Sequence, residues 1–105
     1  MKLLTKANLQ SLPSLYATDG LGEDAKATVK FFCPWNNWTW YATEFDPAEG
    51  RFFGLMYGNE IEPELGYWSL DEMQAVKGPW GLKVERDMHF RPTTLGKIKA
   101  TAYSY

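Results

Sequence analysis

The chain has 105 residues, a formal net charge of −2 and an aromatic content of 16 %, carried by five Trp, six Tyr and six Phe. This length predicts a single globular domain, residues 1–105, and a nearly neutral balance argues against the strongly basic surface of a typical DNA-binding domain. One Cys and one His exclude an internal disulfide framework and a multi-histidine metal site.

Signals for targeting and for membranes are missing from the sequence. The N-terminus lacks the apolar core of a signal peptide, and no apolar run approaches the ~20 residues of a membrane span. The lone Cys33 fits a reducing compartment. The sequence therefore predicts a cytoplasmic protein without a membrane segment.

A helix and a loop open the chain. Thr5 is suited to cap a helix, and Pro13 ends it because proline disfavours helix in the residue before it. Residues 18–24 include two glycines and predict a loop.

Three strands are predicted in the aromatic middle of the chain. Apolar residues alternate over 27–33, which is the period of a strand. Residues 38–45 and 51–57 are rich in β-branched and aromatic side chains and predict two more strands. Turn residues at 34–37 and 46–50 join them, so we expect an antiparallel meander.

Both faces of this meander carry large rings. Alternation places Trp38 and Trp40 on one face and Tyr41 with Phe45 on the other. If helices cover only one face, some of these rings remain exposed, and exposed aromatic patches often mark binding surfaces.

A fourth strand and a short helix are predicted next. Residues 63–68 form the strand, and Ser69 with Glu72 has the spacing of a capping box. Gly78 followed by proline is a strong stop for this helix.

A fifth strand and a last helix complete the chain. Residues 82–90 alternate, and Thr93 or Thr94 is placed to cap a helix that runs through Ile98. The predicted fold class is α+β: a single antiparallel sheet of about five strands, a meander at its centre, with short helices at the N-terminus, after the fourth strand and near the C-terminus.

Charge is distributed unevenly along the chain. Eight acids and only Arg51 lie between Glu44 and Glu72, whereas six bases and two acids follow from Lys77 to the end. Either the two regions face each other as an ordinary solvated surface, or the acidic region meets a basic surface on a partner.

No catalytic motif is present. For an enzyme the candidates are Glu85, Asp87 and His89, which share a face of the predicted fifth strand and suit general acid–base chemistry. For a divalent metal such as Mg²⁺ or Mn²⁺ the candidate ligands are Glu62, Glu64 and Asp87, because these ions prefer carboxylate oxygens. The simpler interpretation of both sets is a solvated surface, and no cofactor is required.

The string from Trp35 to Trp38 is the most unusual in the chain. Aromatic rings beside amides can stack on nucleobases or sugar rings, whereas in the alternative interpretation Trp38 and Trp40 are core and only the turn at Trp35 is exposed. The candidate binding residues are Trp35, Asn36, Asn37, Trp38, Glu60, Glu62, Glu64 and Arg86. A basic groove would have to be assembled from Lys26, Lys30, Arg86, Arg91, Lys97 and Lys99.

Several strings along the chain are similar to a known family. They include Trp-Thr-Trp-Tyr-Ala-Thr-Glu-Phe-Asp at 38–46, Phe-Phe-Gly-Leu at 52–55 and Glu-Leu-Gly-Tyr-Trp-Ser-Leu at 64–70. The series resembles the bacterial domain of unknown function 2958 over nearly the whole chain. Its members are short proteins often carried by plasmids, phages and integrated elements, and the family has no established activity. The resemblance implies an accessory role for a mobile element and transfers no catalytic residue.

The expected function is that of a non-enzymatic interaction protein of a mobile genetic element. It would act as an anti-defence inhibitor whose acidic and aromatic surface binds the basic, nucleic-acid-binding surface of a host nuclease. The alternative is a single-stranded nucleic-acid binder or metal-dependent nuclease using Trp35, Trp38, Arg86, Asp87 and His89. A third hypothesis is a small-molecule or sugar-binding module. The sequence does not indicate an oligomeric state.

Overall fold

A computed structural model of the chain describes residues 3–58 and 61–102. Its elements are α1 (Lys6–Ser11), β1 (Lys26–Ala27), β2 (Val29–Phe32), β3 (Thr39–Asp46), β4 (Arg51–Gly58), β5 (Ile61–Ser69), α2 (Leu70–Ala75), β6 (Glu85–Arg86), β7 (Thr93–Thr94) and α3 (Leu95–Ala102), with 3-10 turns at Gly22–Asp24 and Pro79–Gly81. None of the helices in this part of the chain is long and apolar enough to cross a membrane.

Five strands form one antiparallel sheet in the order β5-β4-β3-β2-β6, and β1 pairs with β7 in a separate two-stranded ribbon. The predicted α+β class, with a five-stranded sheet and three short helices, is therefore confirmed. The strand predicted as the fourth is β5, because the short strand β1 precedes the meander and is counted separately. Pro63 is tolerated within β5 because an edge strand does not need every backbone N–H.

Side-chain caps begin the helices as the sequence predicts. Thr5 and Asn8 form a capping box in which each side chain accepts a hydrogen bond from the other's backbone N–H, at 3.1 and 2.9 Å. The Ser69 hydroxyl accepts from the Glu72 N–H at the start of α2, and the Thr94 hydroxyl accepts from Lys97 N–H at the start of α3.

A β-bulge changes the facing of side chains in β3. The register with β4 shifts between Ala42 and Glu44, which leaves Thr43 as an extra residue. A bulge reverses the alternation beyond it. Phe45 therefore packs on one face while Tyr41 packs on the other, and the expectation that these two rings share a face is wrong.

Helices cover both faces of the sheet. The first core lies under α2 and the residues that flank α1, where Met73 and Leu12 join Phe31 and Phe52. α3 packs on the opposite face, so the helices are not confined to one face of the sheet. Burial of a large apolar side chain contributes about 1.5–3 kcal/mol, so each face gains enough to hold short helices.

The second core lies under α3. It includes Leu95 and Ile98 of the helix and Tyr41 and Leu55 of the sheet. The chain reaches this face after β6, when β7 pairs with β1 and directs α3 over the sheet.

The fifth strand is shorter than predicted. Within the predicted strand 82–90, only β6 pairs with β2. The Asp87 side chain accepts a hydrogen bond from the His89 N–H at 2.9 Å, and the Phe90 N–H bonds to the Asp87 carbonyl. This local turn competes with the strand and ends it.

Candidate interaction surface

A buried carboxylate ties the N-terminal loop to the sheet. Glu44 in β3 is 1 % exposed. Its two oxygens accept hydrogen bonds from the backbone N–H groups of Tyr16 and Thr18, each at 2.8 Å, and from the Thr18 hydroxyl. A buried carboxylate is tolerated only when it is hydrogen-bonded, and these three donors meet that requirement.

Tyr16 adopts a backbone conformation that bulky residues rarely adopt. Its φ is +72°, in the left-handed region. This conformation costs on the order of 1–3 kcal/mol and persists only where surrounding contacts impose it. The hydrogen bond to Glu44 is such a contact. The backbone of Tyr16 is strained, yet its ring is not buried: the residue is 62 % exposed.

The Tyr16 side chain lies near Tyr67 of β5, close enough to influence the ionisation of its hydroxyl. Partial desolvation raises the pKa of Tyr67 above its usual value, and the neighbouring Tyr16, Asp19 and Glu44 raise it further. The Tyr67 ring rests on Phe53, at 4.9 Å between ring centroids.

The strand that carries Tyr67 is an open edge. Within the described residues β5 pairs with β4 alone. Glu62, Pro63 and Glu64 protect its first half, since charges and proline discourage further strand pairing. The second half lacks such protection and exposes Leu65 and Tyr67, at 48 and 49 %. We call Tyr16, Leu65 and Tyr67 together the Tyr16–Tyr67 surface.

The acidic region is divided by the fold. Glu44 is buried, Asp46 accepts a hydrogen bond from the Ala48 N–H, and Glu49 lies 3.4 Å from Arg51. Besides the ion-paired Glu49, the exposed acids of this region lie on β5 and the first turn of α2, and they are Glu62, Glu64, Asp71 and Glu72. Glu60 lies outside the described residues. The exposed negative charge is thus grouped along the strand that carries Leu65 and Tyr67.

The predicted tryptophans pack inward. Trp38 stacks on Trp40, with 6.1 Å between ring centroids, so the prediction that they share a face is confirmed. Both pack against the first core. A Cβ on Gly58 would lie 2.7 Å from the Trp38 ring, which shows how closely that ring lies on the backbone of β4.

Trp35 also packs inward, although the sequence suggested an exposed turn. Its ring lies over Gly78, where a Cβ would be 2.5 Å away, and contacts the first core. Asn36 and Asn37 remain exposed, and the Asn36 side chain accepts a hydrogen bond from the Trp38 N–H at 2.9 Å. The four residues therefore do not present a stacking platform of two tryptophans.

The other predicted site residues lie at the opposite edge of the sheet. Arg86 in β6 donates to the Leu3 carbonyl at 2.8 Å and faces the first core. Glu85 is exposed, Asp87 is 3.6 Å from the Lys30 ammonium, and His89 lies in the turn beyond. Because the strand ends at Arg86, these three residues do not form the predicted face of one strand.

The proposed metal ligands are not brought together. Glu62 and Glu64 are on β5, and Asp87 follows β6 at the other edge of the sheet. With four inter-strand spacings, the two edges are about 19 Å apart. In residues 3–58 and 61–102, no cluster of three or more His, Cys, Asp or Glu side chains could hold a metal ion.

Sequence reasoning missed the residues that build this surface. The position of Glu44 inside an aromatic strand is a signal in the sequence that this carboxylate is buried. Tyr67 could be placed on an edge strand only once the strand order was known. Nothing local distinguishes Tyr16, because its backbone conformation depends on a residue 28 positions away.

Fold and surface together define a small α+β protein with an open, aromatic sheet edge flanked by acids. The chain belongs to the family described as Protein of unknown function (DUF2958), which matches residues 3–102. The resemblance seen in the sequence is therefore confirmed. No curated protein and no solved structure matches the chain.

Proposed function

We propose that the chain is a non-enzymatic interaction protein that binds a basic protein surface through the Tyr16–Tyr67 surface and the adjoining edge of β5. The observation that carries this proposal is the strained, exposed Tyr16 held beside Tyr67 by the buried Glu44. Strained residues and exposed aromatic clusters are both concentrated at functional sites.

The open edge suggests how the partner binds. Outward N–H and C=O groups of residues 65–69 can pair with a strand of the partner, and alternate side chains then supply specificity. Leu65 and Tyr67 project to one face, beside Tyr16. Tyrosine is an effective anchor because it combines a large apolar ring with a hydroxyl.

The charges indicate the kind of partner. The exposed acids of β5 and α2, with Glu62 and Glu64 nearest the edge, complement a basic surface such as the one with which a nuclease holds its substrate. The role we propose is inhibition of a host defence nuclease in the cytoplasm on behalf of a mobile element. Occupation of the basic surface would compete with nucleic acid.

A titration against purified nucleases with basic substrate surfaces tests the proposal. We expect a complex with at least one of them, with Kd near or below about 1 μM, and loss of its cleavage activity. Leu65→Lys should weaken that complex at least about tenfold, because it places a cation at the centre of the contact.

Leu9→Lys provides the matched control. Leu9 on α1 is 46 % exposed, close to the value for Leu65, and belongs to a different element from the proposed contact. This variant should bind as the parent does. The proposal fails if no nuclease forms a complex at about 10 μM, or if both lysine variants weaken binding equally.

A further inference from the structure

A cleft lies between α3 and the sheet, away from the β5 edge. The residues that line it include Lys30 and Tyr41 of the sheet, Tyr57 and Phe90, and Lys97 of the helix. Its volume is about 420 Å³, within the range of sites that enclose small organic ligands.

A second cavity adjoins the first. Its volume is about 460 Å³, and Lys30 and Tyr57 border both cavities. Asn36, Asn37 and Thr39 add amide and hydroxyl groups to this second cavity. The two cavities together form a groove with both polar and aromatic lining.

Hydroxyl groups in the cleft provide a hydrogen-bond donor. The Tyr41 and Tyr57 oxygens are 3.3 Å apart. In such a pair one hydroxyl donates its hydrogen to the other oxygen. The accepting hydroxyl keeps its own hydrogen, which it can donate to a ligand. A tyrosine hydroxyl is protonated at neutral pH, and burial, followed by the hydrogen bond to Tyr57, raises the pKa of Tyr41 further.

The uncompensated positive charge of the cleft comes from Lys97. The Lys30 ammonium is 3.6 Å from an Asp87 carboxylate oxygen and 5.6 Å from the centre of the Tyr41 ring, so it is paired and held in place. Lys97 has no carboxylate partner within the described residues. No acid is among the described residues that line this cavity. An anionic group therefore fits here.

Three aromatic rings form part of the walls, beside Thr93, Ile98 and Thr101. Tyr41 and Tyr57 are stacked at 5.9 Å, and Phe90 is tilted against Tyr41 at 5.6 Å. Phe90 is only half-buried and faces the cavity. Such rings offer flat apolar surface to a planar ligand group.

We propose that this cleft binds a nucleoside phosphate, with the phosphate held by Lys97, Lys30 and a tyrosine hydroxyl and the base placed against Phe90. The cations and the hydroxyl donor suit the phosphate of such a ligand, and the aromatic walls suit its base. The volume admits one nucleotide unit, which is either a free nucleotide or one residue of a single strand.

Calorimetric titration tests the proposal on the complete chain at low salt. The probes are adenosine and thymidine monophosphates, inorganic phosphate, the two nucleosides and a short single-stranded oligonucleotide. A nucleotide should bind at least about tenfold more tightly than phosphate or nucleoside alone, because each fragment makes only part of the contacts. Tighter binding of the oligonucleotide than of the mononucleotides would show that the ligand is a nucleotide within a single strand of nucleic acid.

Matched variants assign the binding to the cleft. Lys97→Ala should weaken nucleotide binding at least about tenfold, since it removes a charge-assisted hydrogen bond to phosphate. Lys99→Ala is the control, because Lys99 is on the same helix but pairs with Glu23 at 3.5 Å. Tyr57→Phe, which keeps the ring but removes the hydroxyl, should also weaken nucleotide binding when measured well below its own melting temperature.

Two results would overturn the proposal. One is the absence of binding by either nucleotide or oligonucleotide up to about 5 mM, well above the Kd of a weak specific site. The other is equal loss of affinity in the Lys97 and Lys99 variants, which would locate the ligand elsewhere. Neither result depends on the β5 edge, so the proposed protein interaction is tested separately.

Discussion

The carboxylate of Glu44 accepts a 2.8 Å hydrogen bond from the backbone N–H of Tyr16, a residue with an exposed ring and a left-handed backbone. A fully buried group in the sheet thereby fixes the position of a surface aromatic. The energetic cost of the Tyr16 conformation is offset inside the fold, while the ring remains available to a partner.

Replacement of Glu44 by glutamine should destabilise the protein. The amide nitrogen of glutamine would face donors from Tyr16 and Thr18, which leaves buried polar groups unpaired at a cost of about 1–3 kcal/mol. Urea denaturation would measure the loss. Glu49→Gln, at an exposed ion pair, should change the free energy of unfolding by less than about 0.5 kcal/mol. An equal effect at both positions would contradict the structural role of Glu44.

Two substitutions of Tyr16 separate backbone strain from the role of the ring. Tyr16→Ala keeps the strained backbone, whereas Tyr16→Gly relieves it. The glycine variant should be more stable than the alanine variant by about 1 kcal/mol, the reverse of the usual order. Both should weaken the partner complex by the same factor, because both lack the ring. Thermal melts and binding titrations report the two quantities, and a less stable glycine variant would refute the assigned strain.

Gly78→Ala should release Trp35 from its packed position. The added Cβ would lie 2.5 Å from the indole ring, a distance that forces the ring to move. We expect a red shift of tryptophan emission and a loss of about 1–3 kcal/mol in stability, as for an overpacked core. Gly66→Ala is the comparison, since only the flexible end of Met56 is nearby, at 3.0 Å. Indistinguishable spectra for the two variants would show that Trp35 is not packed there.

Stability should decrease in alkali because of Tyr41. Burial raises the pKa of this hydroxyl in the folded state, and the bond to Tyr57 adds to the effect. In the unfolded chain Tyr41 ionises near pH 10, so its contribution is complete below about pH 9 and is lost as the pH rises. The free energy of unfolding, measured from about pH 8 to pH 11, should fall less steeply in Tyr41→Phe than in the parent. Identical slopes would contradict this assignment.

Local signals predicted most of the fold. Alternation and turn residues identified the meander, and Thr5 and Ser69 marked the helix starts, because these features depend on neighbours within a few positions. The bulge at Thr43 and the path of α3 across the second face depend on distant pairing. A sequence pattern could therefore not show that Phe45 and Tyr41 face opposite ways.

The candidate sites were harder to predict than the fold. Trp35 and Trp38 attracted attention as unusual residues, yet both support the core. The residues of the two surfaces meet only through tertiary contacts, as when Lys30 of β2 and Lys97 of α3 border one cleft. Composition showed that the chain is rich in aromatic residues and that acids are concentrated between Glu44 and Glu72. It could not show where these residues lie in the fold.

Hydrogen–deuterium exchange on a complex with a bound nuclease tests the central claim most directly. The claim is that residues 65–69 of β5 and the loop at Tyr16 contact the partner. We expect exchange in these two segments to slow on binding, while exchange in α1 stays unchanged, because new inter-strand hydrogen bonds protect only the paired edge. Protection confined to other elements, with β5 exchanging as in the free protein, would contradict the claim.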